Sequence, residues 1–395
     1  MTTSGAQQGI RPGVCLSTTR PASPYIGQII YMTDVNQSAV WNGTSWEGLD
    51  RSRDRNVIIN GAMQVTQRGA STASITAGGY YTADRWASTV TSLGTWTQSI
   101  EGDAPTGSGL RKSVKMLCTT ASASPSSNSR VLVGQYVEGQ NAQPFSKGTS
   151  SAKQFALSFW VKSNVTGTYI ASIYDNDNTR SVCASYTIST SATWEKKTLI
   201  FPADTTGPLD NDSALSLAVE FYLSAGSSFT SGTLNTAWNA HSASNHAVGQ
   251  VNVAAAINNY WQVTGVQFEV GPVATPFEFE DYSETLRKCQ RYYFRLNSGA
   301  TETPWVLAYA RSTTVLDGVL QFPVPMRVAP TSIEFSSIGA LQPTIVLTAI
   351  SALTYIAPSP YTANLVATTT GLTQYRPYFI SNNGLSGFIG LNAEL

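Results

Sequence analysis

The chain has 395 residues, 24 basic and 24 acidic side chains and a formal net charge of zero. Only 12% of residues are charged, about half the usual share. That balance offers no basic surplus of the kind that binding to nucleic acid or an anionic membrane surface calls for. No apolar run approaches the ~18 residues of a membrane span. The four cysteines, Cys15, Cys118, Cys183 and Cys289, include no CxxC pair and are too sparse for a disulfide framework. The opening MTTSGAQQGIRPG lacks the apolar segment of a secretory signal. The expectation is synthesis in a cytoplasm without export, and release by another route such as lysis.

Residues 1–20 are small and polar, and are expected to be extended or disordered unless a partner holds them. Pro21 and Pro24 fix an extended entry, and Ile29–Tyr31 reads as a strand. Ala39–Trp46 reads as a hairpin about Asn42-Gly43, with Trp41 and Trp46 on one face. A lone hairpin of this size is marginal in water. Its aromatic face calls for a cover, from a second copy or from another protein. Asp50–Arg55 places five charges in six residues, the pattern of a solvated junction.

Beyond the junction, Val57–Ile59 reads as a strand and Asn60-Gly61 as a turn, with alternation resuming at Met63 and Val65. Further strands are expected over Leu110–Thr119, Arg130–Val137, Phe155–Lys162, Gly167–Tyr174, Val182–Ile188, Trp194–Phe201 and Ala214–Leu223. Their close spacing is that of a β-sandwich. Phe155, Leu157 and Phe159 share one face, Trp160 and Lys162 the other. Gly167–Tyr174 is the expected hairpin partner of Phe155–Lys162, across Asn164–Thr166.

From Trp261 to Val270 the apolar alternation slips by one residue at Gly265, the signature of a β-bulge. Gly271-Pro272 ends that strand. Phe277 and Phe279 alternate with Glu278 and Glu280 in a second extended piece. Asp281 is an N-cap with Glu284 in capping-box position. Leu286, Cys289 and Tyr292 or Tyr293 follow at helical spacing, which predicts one short helix near 282–293, with Glu284 paired to Lys288. From Phe294 on, short strands return at Trp305–Arg311, Val315–Phe322, Ile333–Phe335, Thr344–Ile350, Leu353–Ile356, Asn364–Ala367, Tyr378–Ile380 and Phe388–Leu391. No helical period, heptad or short repeat appears there. The expected class is all-β: an N-terminal hairpin module (1–50), a central sandwich (51–290) and a smaller C-terminal β-domain (291–395).

Nothing in the spacing marks catalysis. His241 and His246 do not form HxxxH, and no cluster adjoins them. Asp175-Asn176-Asp177-Asn178 starts like a calcium loop but lacks its Gly and distal Glu. Asp204, Asp210 and Asp212 read the same way, as turns. Asp84-Arg85-Trp86 reads as a packed ion pair at a strand edge. No paired-carboxylate, nucleophile or phosphate-binding signature is present. The expectation is no catalytic residue, no metal and no cofactor.

Several strings carry a resemblance. VTGVQFEVGPVATPFEFEDYSETLRKCQRYY, residues 263–293, looks like the end of a domain that recurs in bacteriophage tail-fibre and other virion proteins. NVIINGAMQVTQRGAS and GGYYTADRW resemble its start. WVKSNVTGTY, TWEKKTLIFPADTTG and YWQVTGVQFEVG match it in order, so the likeness runs from about Asn56 to Tyr293. RPASPYIGQIIYMTDVNQSAVWNGTSWEG is similar to a short module of phage tail proteins. FPVPMRVAPTSIEF and LNAEL resemble the tail that follows the domain. Relatives carry an acidic residue after the Asn-Gly; Ala62-Met63 stands there instead, so a calcium site using that carboxylate is not carried over.

The resemblance implies a jelly-roll fold similar to carbohydrate-binding modules, a homotrimer, and a place in the virion as a tail fibre or receptor-binding protein. The module 1–50 would join other tail or baseplate proteins, with Tyr31, Trp41 and Trp46 as contact candidates. The C-terminal domain would face a host-surface glycan or protein. Tyr355, Tyr361, Tyr375 and Tyr378 are its ligand candidates, being amphipathic aromatics in Pro- and Ser-rich loops. They equally suit the core of a trimer axis. A capsid decoration or head-fibre protein, or a glycan depolymerase, are the other readings of the same residues.

Overall fold

The computed structural model describes residues 12–49, 55–297, 299–300, 302–342 and 347–395. Most of the charge run at 50–55, the first eleven residues, and Thr344–Val346 of one expected strand lie outside them. The hairpin sits within a four-stranded sheet, ordered Gly13–Cys15, Ile29–Met32, Gln37–Trp41 and Trp46–Gly48. Trp41 pairs with Trp46 across a four-residue loop. Asn42 Oδ1 accepts the amides of Thr44 and Ser45, both at 2.8 Å, so its side chain builds the turn. Ile30, Met32 and Ala39 are buried together with Val273 of the body, and the Gly48 amide donates to the Ala274 carbonyl at 3.1 Å. Part of the cover that the hairpin needs thus comes from the same chain.

The body is a jelly-roll sandwich of two antiparallel sheets. One has the order Asn239–Ala240, Arg180–Ile188, Gly167–Asp175, Leu215–Ala225, Arg130–Glu138, Ala87–Thr91, Gly79–Tyr80. The other runs Glu195–Phe201, Phe155–Ser163, Tyr260–Val270, Ser113–Thr120, Thr95–Glu101, Ser71–Ile75. The expected hairpin between Phe155–Lys162 and Gly167–Tyr174 does not form: the two strands lie in opposite sheets. Both bury an apolar face, and the short turn carries the chain across the core rather than along one sheet. Alternation shows which face a strand buries but not which sheet it joins.

The bulge is present. Ser158 pairs with Gln267 and Trp160 with Thr264, leaving Phe159 opposite two residues, and Gly265 has φ 60°. A Cβ there would lie 2.7 Å from Leu110 Cδ1. The extra residue keeps Trp261, Val263, Val266 and Phe268 all fully buried. Trp261 donates to the Tyr186 hydroxyl at 3.3 Å and its ring lies 5.6 Å from Phe221.

Val57–Ile59 is not a strand. The segment lies against the edge of Tyr260–Val270, beyond the point where that strand leaves its pairing with Ser113–Thr120 at Val263. Asn56 substitutes for a ladder: its Nδ2 donates to the Val266 carbonyl at 3.1 Å and its Oδ1 accepts the Phe268 amide at 3.0 Å. One side chain satisfies what a β-bridge would otherwise satisfy.

The helix covers Tyr282–Gln290, and Asp281 caps it by accepting the Ser283 amide. It is shorter than expected because Tyr293 opens a new strand, Tyr293–Asn297. Glu284 pairs with Arg287, and Lys288 turns back to Glu280, so the expected Glu284–Lys288 pair is replaced. The C-terminal domain joins a three-stranded sheet (Tyr293–Asn297, Phe388–Asn392, Ser332–Ser336) to a seven-stranded one. The latter runs Thr348–Ala349, Ile338–Leu341, Pro377–Asn382, Pro304–Ala310, Val315–Gln321, Thr362–Thr368, Ala352–Ile356. They share a core of their own.

Sandwich and C-terminal domain meet at a buried ion pair. Arg85, 1% exposed with φ 72°, does not pair with its neighbour Asp84. It reaches Glu394, donates to the Tyr136 carbonyl at 2.5 Å, and stacks 3.4 Å from the Tyr292 ring centroid. Arg68 adds a second contact to Glu394 at 3.3 Å. Asp84 instead accepts the amide and side chain of Gln67, at 2.9 and 2.5 Å.

Two outcomes follow from this packing. Trp261→Ala, at a fully buried position, lowers stability by about 3–5 kcal/mol in urea unfolding; a loss under ~1 kcal/mol contradicts the assignment of faces. Arg85→Ala leaves the buried Glu394 carboxylate with Arg68 alone, at 3.3 Å, and lowers stability by at most about 3–5 kcal/mol. Glu394→Gln, which keeps shape and removes the negative charge, is expected to restore part of that loss in the double variant.

Candidate functional site

The tyrosines singled out in the C-terminal domain do not form one site. Tyr378 is only 2% exposed, and its hydroxyl accepts from the Thr373 amide at 2.8 Å and from Gln342 at 2.6 Å. It is a core residue, which removes it as a ligand candidate. Tyr355 is half-buried against the same core and donates to the Pro330 carbonyl at 2.8 Å. Tyr361 and Tyr375 are 64% and 78% exposed. The Tyr361 carbonyl meets the Phe322 amide and the Tyr375 amide meets the Ala310 carbonyl, at opposite ends of one strand pair. A seven-residue strand separates such ends by about 20 Å. In the N-terminal sheet Tyr31 is half-buried and donates to Asn36 at 3.0 Å. Trp41 and Trp46 are half-buried with ring centroids 5.7 Å apart.

The acidic loops already hold cations. Lys147, fully buried, places Nζ 2.5 Å from Asp175 and 3.0 Å from Asp204, and donates to the carbonyls of Thr206 and Gly207. Arg180 takes Asp204 at 2.8 Å. Asp175, which opens the calcium-loop-like run, and Asp204 are therefore neutralised by a lysine ammonium and a guanidinium. Among the described residues no group of three or more His, Cys, Asp or Glu is placed to hold a metal ion.

A different surface gathers the right side chains for recognition: the outer face of the six-stranded sheet. Lys115, Gln262 and Lys162 are cross-strand neighbours, and Trp194 lies at the outer end of that row. Tyr260 stands outward in the row above. Trp160, beside Thr264 and Lys196, stands outward in the row below. All three aromatics are half-buried. Lys162 pairs with Asp103 and lies 5.3 Å from the Trp194 ring, while Lys115 lies 4.8 Å from the Tyr260 ring. Trp194 Nε1 donates to Asp103 at 3.1 Å and Gln262 Nε2 at 3.4 Å. Burial pushes the Asp103 carboxyl up, but the bonds from Lys162, Trp194 and Gln262 prevail and hold it below the usual range. The N-terminal sheet borders this face through Glu47 and Lys196, 3.1 Å apart. Sequence alternation put Trp160 and Lys162 on the outward face; what it lacked was the neighbouring strands that complete the surface.

Two clefts flank the body. The larger, about 1120 Å³, opens between the N-terminal sheet, the sandwich and the helix, with Gln37, Arg55, Glu269 and Arg291 in its wall. The smaller, about 470 Å³, lies at the junction with the C-terminal domain, among Arg68, Tyr80, Tyr81, Arg295 and Glu334. It carries both signs of charge. Among the described residues no helix is long and apolar enough to cross a membrane.

No protein-family model matches the chain, and no curated protein matches it. Solved structures resemble part of the chain at low identity. The enzymatically active domain of tailspike protein 4 from bacteriophage CBA120 is 16% identical over 55% of this chain, with a TM-score of 0.30. This chain spans 21% of that one. The carbohydrate-binding module TmCBM61, in complex with β-1,4-galactotriose, is 9% identical over 55% of this chain and 99% of its own, with a TM-score of 0.26. A family 11 module from Clostridium thermocellum, in complex with a mixed-linked tetrasaccharide, is 11% identical over 52% and 98%, with a TM-score of 0.26. At these scores the likeness carries no argument about ligands.

The two histidines turn out to be neighbours behind the other sheet. His241 Nδ1 and His246 Nε2 are 3.0 Å apart, and His246 Nδ1 is 3.4 Å from the Tyr222 hydroxyl. Burial, then the adjacent His241 and Arg130, push His246 down to about 4. A depressed histidine favours the neutral fold, so its contribution is intact above pH ~6.5 and is lost as pH falls toward 4. His246→Gln is expected to flatten the fall in melting temperature over that window; an unchanged slope contradicts it.

Proposed function

We propose that this chain is a bacteriophage virion structural protein of the tail-fibre type. In this reading it attaches the particle to the host surface by holding a glycan on the outer face of its six-stranded sheet. The observation that carries the reading is the aromatic set Trp160, Trp194 and Tyr260. These stand outward on a rigid sheet beside Lys162 and Lys115, with Gln262, 3% exposed, buried between the two lysines. Aromatic rings cover the apolar faces of sugars, and a few fixed polar groups select hydroxyl positions. Sheet-borne side chains lose little freedom on binding, which favours affinity. The motif resemblance supports the virion setting, the homotrimer, and a role for residues 1–50 in joining tail or baseplate proteins.

No reaction is assigned. Asp103, the carboxylate at the face, is held low by three donors. A carboxylate held ionised is unsuited to act as a general acid near neutral pH. The reading is therefore of a binder, and the polysaccharide test below decides whether the glycan stays intact.

The test is binding of the purified protein to host-surface polysaccharide. Trp160→Ala and Tyr260→Ala are each expected to weaken it at least tenfold, with melting temperatures within a few degrees of the parent. Tyr361→Ala and Tyr375→Ala are expected to leave it unchanged. Equal binding by all four variants, or new reducing ends in the polysaccharide, overturns the reading.

A further inference from the structure

An apolar row crosses the outer face of the C-terminal seven-stranded sheet, flanked on that face by Gln321, Thr354, Thr362 and Thr368. The row can be followed strand by strand. Leu341 pairs with Phe379, and Phe379 with Leu307. Ala308 pairs with Gly318, which sets Leu307 beside Val319. Val319 pairs with Asn364, and Asn364 with Ile356. One continuous row therefore crosses six strands with a single polar member. Leu307 is 64% exposed, Val319 60% and Ile356 50%; Tyr309, on the same face, is 51% exposed. The other face of these strands is already filled by Val306, Ala308, Leu316, Leu320 and Leu365, all buried. The outward apolar side chains are therefore surplus to the domain's own core.

Isolated exposed apolar residues are ordinary, whereas a contiguous patch marks an interface. Six strands at ~4.8 Å spacing and about six residues of ~3.3 Å give the whole face, its polar margins included, a footprint of about 500 Å². Two such faces together reach the ~1,000 Å² above which specific interfaces stand.

Charge indicates which partner fits. The six strands contain one charged side chain, Asp317, and it is 7% exposed and paired with Arg311 at 3.1 Å. In a symmetric assembly each side chain near the axis meets its own copy. Leucine, valine and tyrosine tolerate that meeting, and charged side chains do not. Interfaces between identical chains are correspondingly more apolar than transient ones.

We infer that this sheet face is where copies of the chain pack on one another, with Leu307 and Val319 next to the symmetry axis. This gives the homotrimer reading a location. It rests on that reading only for the number of copies and is independent of glycan binding.

The experiment is light scattering on the full chain. The parent is expected at a multiple of 42.3 kDa. Leu307→Lys with Val319→Lys is expected to reduce it to the single-chain mass, with polysaccharide binding per site retained. Ile257→Lys with Phe279→Lys, at other exposed apolar positions (59% and 54%), is expected to change nothing. Should the double lysine variant fail to fold, Leu307→Cys and Val319→Cys decide. Each is expected to give interchain disulfides under mild oxidation that the parent, run alongside, does not give. A parent of single-chain mass overturns both this inference and the homotrimer. An oligomer that survives the lysines, or cysteines that stay unlinked in it, overturns this inference alone. Loss of polysaccharide binding with the mass unchanged gives the face to the glycan and overturns it too.

Discussion

The contact between Arg85 and Glu394 holds the two large parts of this molecule in one arrangement. Both groups are withdrawn from water, so losing either one is costly to the other. Around them Tyr292 stacks on Arg85 and Tyr293 on Arg68. Arg327 donates to the carbonyls of Ala393 and Glu394 and to that of Ser213. The strand Phe388–Asn392, which leads into this contact, is also the centre of the three-stranded sheet. The C-terminal domain thus reaches back to the sandwich at Glu394, as well as leaving it at Tyr293.

Much of the fold was legible because side-chain periodicity is a local property. The bulge at Gly265 is the clearest case: a one-residue slip in alternation with a glycine at the slip has few other structural meanings. The Asp281 cap was equally local. What failed was long-range. The turn at Asn164–Thr166 reads as a hairpin until one knows that both flanking strands face the same core from opposite sides. Val57–Ile59 has strand composition, but the edge beside it is satisfied through the Asn56 amide, 210 residues away in sequence. Asp84 and Arg85 looked like partners because they are adjacent; each instead finds a partner on another segment.

The site was less legible for the same reason. Tyr355 and Tyr378 were singled out for residue type and loop composition, yet their hydroxyls are satisfied inside the domain. The outward parity of Trp160 and Lys162 was readable from their strand alone. Their conjunction with Trp194, Tyr260 and Asp103 needed the sheet order. The acidic run at Asp175 read as a turn rather than a calcium loop, but that Lys147, 28 residues earlier, fills it could not be read from the run itself.

The seam between the domains also has a consequence in time. Arg85 and Glu394 are 309 residues apart. At ~5–20 residues per second of synthesis, the guanidinium waits on the order of 15–60 s for its carboxylate. Through that interval it stays hydrated, and the rim of the sandwich around it stays open. The sandwich can settle while the ribosome is still working, but the molecule acquires its final outline only in a later, separate act of docking.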